Sequence, residues 1–555
     1  MTRYAIGLIV LSVPFVPAVA DDKGTAVTGK RGMVVCVSPE AADVGVMILK
    51  QGGTAVDAAV AVALAEAVTY PAAGNIAGGG FMLVYPPGGE PIVIEYRETA
   101  PAAVNRDTFV KTTDWHNHQA VGVPGTLRGL EFAHKKFGKL PWKELVEPAI
   151  RLANDGFALD APMVKSLNEV LQKATNAEFR RLFAKDSGKT PWKVGDVLIQ
   201  KDLAKTLRQI ADHGADAFYS GELADLLIAE IKAGGGFITR EDLAAYRAKE
   251  RKPVHGTYRG YDVYGPPPPS SGGIALVEML SILEVFDLGK MGAGTGESRH
   301  IMAEAMRRAY VDRAKYLGDP DFVRIPDFLT DKDYAKKLAR GINLTMATPS
   351  ESLAEGITLS KESNDTTHFS IIDSTGMAVS NTYTLEDSYG ARIVVPGAGY
   401  ILNNEMGDFN SRPGVTTAKG RIGTEPNLVA RGKRMLSSQT PTIVARNGKP
   451  ILITGSPGGR TIPNTVLCVI TNVIDFGMDV QSAVNAPRQH HQWFPDRLDL
   501  EGKDGETAAK LQALGHTIRA PKERQGDAHS IWIDPKTGLY HSAADKRING
   551  KAAGY

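Results

Sequence analysis

The segment Asn364-Asp365-Thr366-Thr367-His368-Phe369-Ser370 marks a sharp change of texture in the chain. Upstream, residues 345–365 are polar and turn-rich, ending in Lys361-Glu362-Ser363-Asn364-Asp365. Downstream, residues 368–373 and 378–385 are strand-like runs joined by Ser374-Thr375-Gly376, the pattern of a β-hairpin. By itself, Thr366-Thr367 is a polar pair ahead of a strand.

Working outward, residues 450–455 form another strand-like run. It enters Ser456-Pro457-Gly458-Gly459, and a helical pattern follows over 461–476. Strand, glycine turn and helix make a place where backbone N–H groups converge on an anion. Toward the N-terminus, residues 41–50 are amphipathic, Gly52-Gly53 interrupts, and residues 55–68 are rich in Ala and Val, which predicts two helices. Gly74-Asn75-Ile76-Ala77-Gly78-Gly79-Gly80 leads into a short apolar strand, 81–85. The cluster lacks the spacing of a dinucleotide fingerprint or a P-loop and reads as close backbone packing. Ser187-Gly188-Lys189-Thr190 fails as a P-loop because Phe183 stands where its first glycine belongs. Residues 126–250 alternate helical segments with loops and carry no chemical motif. Pro266-Pro267-Pro268-Pro269-Ser270-Ser271-Gly272-Gly273 is a stiff turn before a helix over 274–286.

The chain has 555 residues, 43% hydrophobic and 23% charged, enough for a large core. A net charge of +2 with no long single-sign run gives no footprint for nucleic acid. Arg3, the apolar stretch 5–16 and Ala18-Val19-Ala20 have the order of a secretory signal peptide, with cleavage expected after Ala20. That stretch is too short to span a bilayer, and Pro14 and Pro17 interrupt it. A periplasmic or secreted protein is therefore expected. Cys36 and Cys468, each in an apolar run, read as buried thiols.

Composition and periodicity alone leave an exported protein of helices and strands. The 364–370 segment, however, resembles the processing site of the γ-glutamyltranspeptidases. The resemblance extends in order through Gly32-Met33-Val34, Gly52 to Ala59, Gly78-Gly79-Gly80-Phe81-Met82, Pro267 to Gly273, Leu402-Asn403-Asn404-Glu405-Met406 and Lys433 to Ser438. It continues through Gly455 to Gly459, Asn485-Ala486-Pro487-Arg488 and the terminal Ala552-Ala553-Gly554-Tyr555. It implies an α+β fold, the four-layer αββα sandwich of the N-terminal nucleophile hydrolases. It also implies autocleavage between Asp365 and Thr366, giving a large subunit (21–365, after a signal peptide 1–20) and a small catalytic subunit (366–555). The two would form a heterodimer, since each contributes to one core.

The chemistry explains why threonine belongs there. A hydroxyl is a poor nucleophile until a base takes its proton. A threonine at a chain start carries its own base, an α-amine with a reference pKa of about 8. By resemblance, Thr366 is the nucleophile and Thr384 supports it by hydrogen bonding. Gly458 and Gly459 match the oxyanion-hole glycines, a contribution of about 3 kcal/mol per donor. Arg97 matches the arginine that grips the substrate α-carboxylate, for which a planar guanidinium is suited. Ser437 and Ser438 add hydroxyl donors to that group. Glu386, Glu405 and Asp408 match the positions that hold the α-ammonium. Some family members carry amides where this chain has Glu386 and Glu405. Three carboxylates around one ammonium leave surplus negative charge, so a raised pKa or an added cation is expected. Residues 409–432 are long enough to form the family's lid, and Lys419 stands where an aromatic residue is common. Charge complementarity suggests that Lys419 latches the lid to Glu386.

The expected substrates are a small-molecule γ-glutamyl donor such as glutathione and an amino-acid or peptide acceptor. His116-Asn117-His118 and His490-His491 lack ligand partners at metal spacing and no HExxH occurs, so structural or surface roles are expected. The mechanism calls for neither metal nor cofactor. Two rival readings differ in kind: a glutaryl (cephalosporin) acylase of the same fold, and a non-catalytic periplasmic binding protein. A glutaryl group has no α-ammonium, so Asp408 with two glutamates favours glutamyl.

Overall fold

The hairpin read from the sequence lies near the centre of the molecule. The computed structural model describes residues 26–354, 359–360, 366–502, 504–521 and 524–555. Strands Thr367–Ile372 and Ala378–Thr384 pair antiparallel with Thr367 opposite Tyr383. Gly376, at φ 87°, closes the turn between them. Their sheet runs in the order Lys551–Gly554, Met33–Cys36, Thr367–Ile372, Ala378–Thr384, Gly79–Tyr85, Ile92–Glu95, Lys249–Arg251. A second seven-stranded sheet runs Val27–Gly29, Tyr540–Ala544, His529–Ile533, Lys449–Thr454, Thr442–Arg446, Tyr261–Gly265, Val254–Tyr258. All the pairings within both sheets are antiparallel.

Side-chain alternation along the strands stacks the layers. Met33, Val35, Phe81, Leu83 and Ile372 of the first sheet meet Ile443, Ala445, Ile453 and Ile531 of the second in a core between the sheets. Their neighbours Val34, Cys36, Met82 and Val84 face the other way, into a core shared with helices Pro39–Lys50 and Ala55–Thr69. On the far side, Val263, Val444 and Leu452 pack with helices Gly272–Leu283 and Ile462–Ile474. The result is the expected α+β sandwich of four layers, helix, sheet, sheet, helix.

Residues on both sides of the 365/366 junction supply strands to both sheets. The N-terminal strand Met33–Cys36 pairs with Thr367–Ile372, and the C-terminal strand Lys551–Gly554 pairs with Met33–Cys36. The glycine cluster packs as read. A Cβ on Gly78 would lie 2.0 Å from the Thr384 carbonyl oxygen, and one on Gly80 would lie 2.3 Å from that of Thr382. Both cysteines are buried free thiols. The signal-peptide stretch and Asp365 lie outside the described residues. Among the described residues no helix is long and apolar enough to cross a membrane.

Candidate active site

Thr366 immediately precedes the strand Thr367–Ile372 and is 7% exposed. The register pairs Thr367 with Tyr383; extended by one residue, it sets Thr366 against Thr384. Thr384 ends its strand. Its hydroxyl accepts from the Glu386 N–H at 2.9 Å, and its carbonyl accepts from Asn75 Nδ2 at 2.9 Å. The turn that follows carries Glu386 at φ 81°.

One cleft gathers most of the residues singled out in the sequence. Its lining includes Thr366, Thr384, Arg97, Glu386, Glu405, Asp408, Ser437, Ser438 and Gly459, and it encloses about 380 Å³ including its open mouth. Gly458 adjoins it in the chain. The strand Lys449–Thr454 delivers both glycines, with Gly458 at φ 126° and Gly459 at φ 53°. The backbone at Gly458 suits glycine far better than any residue with a Cβ. The Gly458 carbonyl accepts from the Thr461 N–H at 3.0 Å, turning the chain into the helix Ile462–Ile474. An anion held at this turn would face the start of a helix.

Two further segments bring in the charged groups. Asn403 Oδ1 accepts from the N–H groups of Gly122 (2.9 Å) and Glu405 (3.0 Å), which fixes the turn that presents Glu405 and Asp408. The proline-rich turn braces the serines. The Ser437 N–H donates to the Pro269 carbonyl at 2.7 Å, and the Ser271 N–H to the Ser437 carbonyl at 2.8 Å. That is the structural role expected of it.

The electrostatics differ from a simple sum of assigned roles. One arm of the buried Arg97 guanidinium pairs with Glu405 and the other with Asp408. Glu98 stands 3.6 Å from the Glu405-facing arm. The crowding of acidic groups expected from the sequence is present. Burial pushes the Glu405 and Glu386 carboxyls well up, with Glu98 and Asp408 adding to the first and Asp387 and Asp408 to the second. Burial raises Glu98 to about 7, against the pull of Arg97. Arg97 is the cation that offsets Glu405 and Glu98.

The Lys419 latch is not formed. Lys419 is exposed, and among the described residues it makes no ion pair with Glu386. The segment instead folds on itself. Gly420 N–H donates to the Thr417 carbonyl at 2.8 Å and Gly414 N–H to the Gly423 carbonyl at 2.8 Å. A lysine at the rim of such a turn keeps its ammonium hydrated. The segment is tied down by Arg460, whose Nη1 donates to the Gly420 carbonyl at 3.1 Å.

Four lining residues escaped the sequence reading: Arg313, Gln439, Arg460 and Ile462. Arg460 directly follows Gly459, so adjacency was an available signal. Arg313 lies in the last turn of the helix Gly296–Tyr316, far in sequence from every motif. Burial and the nearby Arg313 bring Arg460 down to about 9.

The histidines that drew attention in the sequence have ordinary partners. His118 Nε2 meets Glu230 at 2.8 Å, and His490 Nδ1 accepts from Asn464 Nδ2 at 2.7 Å. A different trio, His300, Glu304 and His516, lies buried together. The two rings are hydrogen-bonded at 2.7 Å and Glu304 is paired with Arg307 and Arg308, so each group is already engaged.

Comparison with known proteins agrees with this geometry. A sequence model of the gamma-glutamyltranspeptidase family matches residues 41–555. The chain is 46% identical over 550 residues to the glutathione hydrolase proenzyme of Escherichia coli (strain K12), covering 97% of this chain and 94% of that one. It superimposes on the cephalosporin acylase of Bacillus halodurans with a TM-score of 0.85 at 28% identity, over 99% of both chains. It also superimposes on the gamma-glutamyltranspeptidase of Helicobacter pylori with a TM-score of 0.56 at 41% identity, over 60% of this chain and 96% of that one. A threonine at the head of a central strand, a glycine turn beside it and a carboxylate-ringed arginine across the cleft accord with these matches, and the chain belongs to the γ-glutamyltranspeptidase family.

Proposed function

We propose that this protein is a self-processing γ-glutamyltransferase and hydrolase, acting on γ-glutamyl amides such as glutathione with Thr366 as nucleophile. The observation that carries the reading is the single cleft in which Thr366, Thr384 and Gly459 meet Arg97, Glu386, Glu405, Asp408, Ser437 and Ser438. In the precursor, the Thr366 hydroxyl attacks the Asp365 carbonyl carbon. The peptide C–N bond breaks, an ester forms, and the freed nitrogen becomes the Thr366 α-amine. Water opens the ester and leaves the Asp365 carboxylate. Nucleophile and base are then one residue.

In turnover, the α-amine takes the Thr366 hydroxyl proton as the oxygen attacks the γ-carbonyl of the donor. The tetrahedral oxyanion faces the N–H groups of Gly458 and Gly459. Collapse passes the proton to the departing amine and leaves a γ-glutamyl ester on Thr366. Water or an acceptor amine then releases the acyl group. Substrate binding exchanges partners across the site: the α-ammonium takes Asp408, Glu405 and Glu386, while the α-carboxylate takes Arg97, Ser437 and Ser438. The product subunits remain a heterodimer, and export by the segment 1–20 completes the reading.

The test is the mass of purified wild type and Thr366→Ala, with a γ-glutamyl anilide assay on both. Two fragments meeting at Asp365/Thr366 and activity in wild type alone are expected. An uncut active chain overturns the reading, and an uncut inactive one favours a binding protein. The likeness to a cephalosporin acylase supports a second reading, a glutaryl acylase. Three carboxylates at the ammonium position weigh against it, and relative rates on glutamyl and glutaryl anilides decide it.

A further inference from the structure

Arg97 alone is poorly placed to attract the substrate's α-carboxylate. Both arms of its guanidinium are taken by Glu405 and Asp408, and Glu98 is 3.6 Å away. An incoming carboxylate on that wall meets a guanidinium whose charge is already answered by carboxyl groups. The opposite polarity lies on the wall formed by the helix Gly296–Tyr316. There Arg313, 8% exposed, reaches the cleft without a carboxylate partner among the described residues. Its Nε donates to Ser271 Oγ at 3.0 Å and its Nη2 to Ser438 Oγ at 3.1 Å.

The two hydroxyls it touches differ in one respect. Guanidinium has no acceptor, so both serine oxygens must accept from it. Ser271 then donates its own proton to the Ser437 carbonyl at 2.7 Å. Ser438 has no such outlet: among the described residues its hydroxyl proton finds no acceptor, and the residue lines the cleft. A hydroxyl that accepts from a cation and keeps its proton available is a polarised donor facing the space where an anion must sit. Arg460, on the same lining, adds a second positive charge beside it.

Deepening the γ-glutamyl reading and resting on it, we propose that Arg313 is a positioning residue for the α-carboxylate, forcing Ser438 to donate into the cleft and supplying the positive field that the neutralised Arg97 does not. Selectivity for substrates that keep the α-carboxylate then depends on Arg313.

The experiment compares γ-glutamyl-p-nitroanilide with 4-aminobutyryl-p-nitroanilide, which lacks only the α-carboxylate. The ratio of their kcat/KM values does not depend on how much of the protein has matured. Wild type is expected to favour the glutamyl substrate. In Arg313→Met that preference falls about tenfold or more, chiefly through KM for the glutamyl substrate, as suits loss of a charge-assisted contact. Arg313→Lys restores part of it. If Arg313→Met does not fold, Arg313→Gln is read in the same way. L-glutamate and 4-aminobutyrate as competing inhibitors give the same ratio where turnover is too slow to follow. A preference unchanged within about twofold, with both substrates losing rate together, shows a brace for Ser271 alone and overturns the proposal. Failure of the γ-glutamyl reading looks different, because wild type would then turn over neither anilide.

Discussion

The Tyr383 hydroxyl sits 2.9 Å from the Ala63 carbonyl and 3.3 Å from Glu66 Oε2, directly beneath the strand that begins at Thr367. Glu66 is fully buried in the Ala-rich helix Ala55–Thr69, and Thr367 Oγ1 is 3.5 Å from the same oxygen. Burial raises its carboxyl to about 8, and the Tyr383 hydroxyl works the other way. The folded value lies above the ordinary value of 4.5, so the folded protein holds this proton more tightly than the unfolded chain. Its contribution to stability is therefore full below about 4.5 and is lost as pH rises toward 8. Glu66→Gln removes that dependence. In urea unfolding at several pH values, the variant should gain on wild type by roughly 1.4 kcal/mol per pH unit between about pH 5 and pH 8. Parallel pH profiles would contradict this.

Gly455 gives space to a buried ring. A Cβ there would come within 2.2 Å of His368 Cε1, and the ring is held by Thr382 Oγ1 at 2.8 Å and Ser370 Oγ at 3.1 Å. Burial keeps this imidazole well below its ordinary pKa, so it packs as a neutral group. Gly455→Ala should cost about 1–3 kcal/mol by overpacking and slow maturation at Thr366, which lies two residues before His368 and just ahead of its strand. Thermal unfolding and a gel-based time course of fragment appearance measure the two effects.

Arg97 answers two carboxylates with one fork. Lysine offers a single charged centre and cannot match that geometry. Arg97→Lys should reduce kcat/KM on a γ-glutamyl anilide by about a hundredfold, mostly in KM, and should lower the unfolding temperature by leaving a buried carboxyl short of its partner. A loss below about threefold would remove Arg97 from the binding assignment.

Lys419 is exposed and the turn around it closes through backbone bonds. Lys419→Ala should leave both hydrolysis and transfer within about twofold of wild type. Arg460→Met, by contrast, removes the donor to the Gly420 carbonyl and should loosen the same segment. Limited proteolysis across residues 411–424 should cut this variant faster than wild type.

The local elements were legible because their signals are local. The hairpin is observed at Thr367–Ile372 and Ala378–Thr384, and the helix after the Gly458-Gly459 turn at Ile462–Ile474, each within about two residues of its expected bounds. The stacking of two sheets between helical layers came from family resemblance, since alternation tells only that a strand has two faces. The partnership of Arg97 with Glu405 spans 308 residues, a separation for which sequence offers no periodic signal. Arg313 was hidden for another reason. Its helix is buried over most of its length and carries Glu304, Arg307, Arg308 and Asp312 inward, so a segment that looks like a solvated surface helix is interior. The lysine latch failed because opposite charges along a sequence say nothing about which way a turn points its side chains.

The braid of strands drawn from either side of residue 366 has a consequence for how the molecule ages. The cut proposed before Thr366 would remove no rung from either seven-stranded ladder, altering the ends of the chain and leaving those pairings standing. The reverse journey would be harder. Once parted by denaturation, the two pieces must find each other as strangers, with neither carrying a whole sheet to serve as a template. Manufacture and repair of this protein are thus unequal tasks: it is assembled as one thread and cannot be reassembled from two with the same ease.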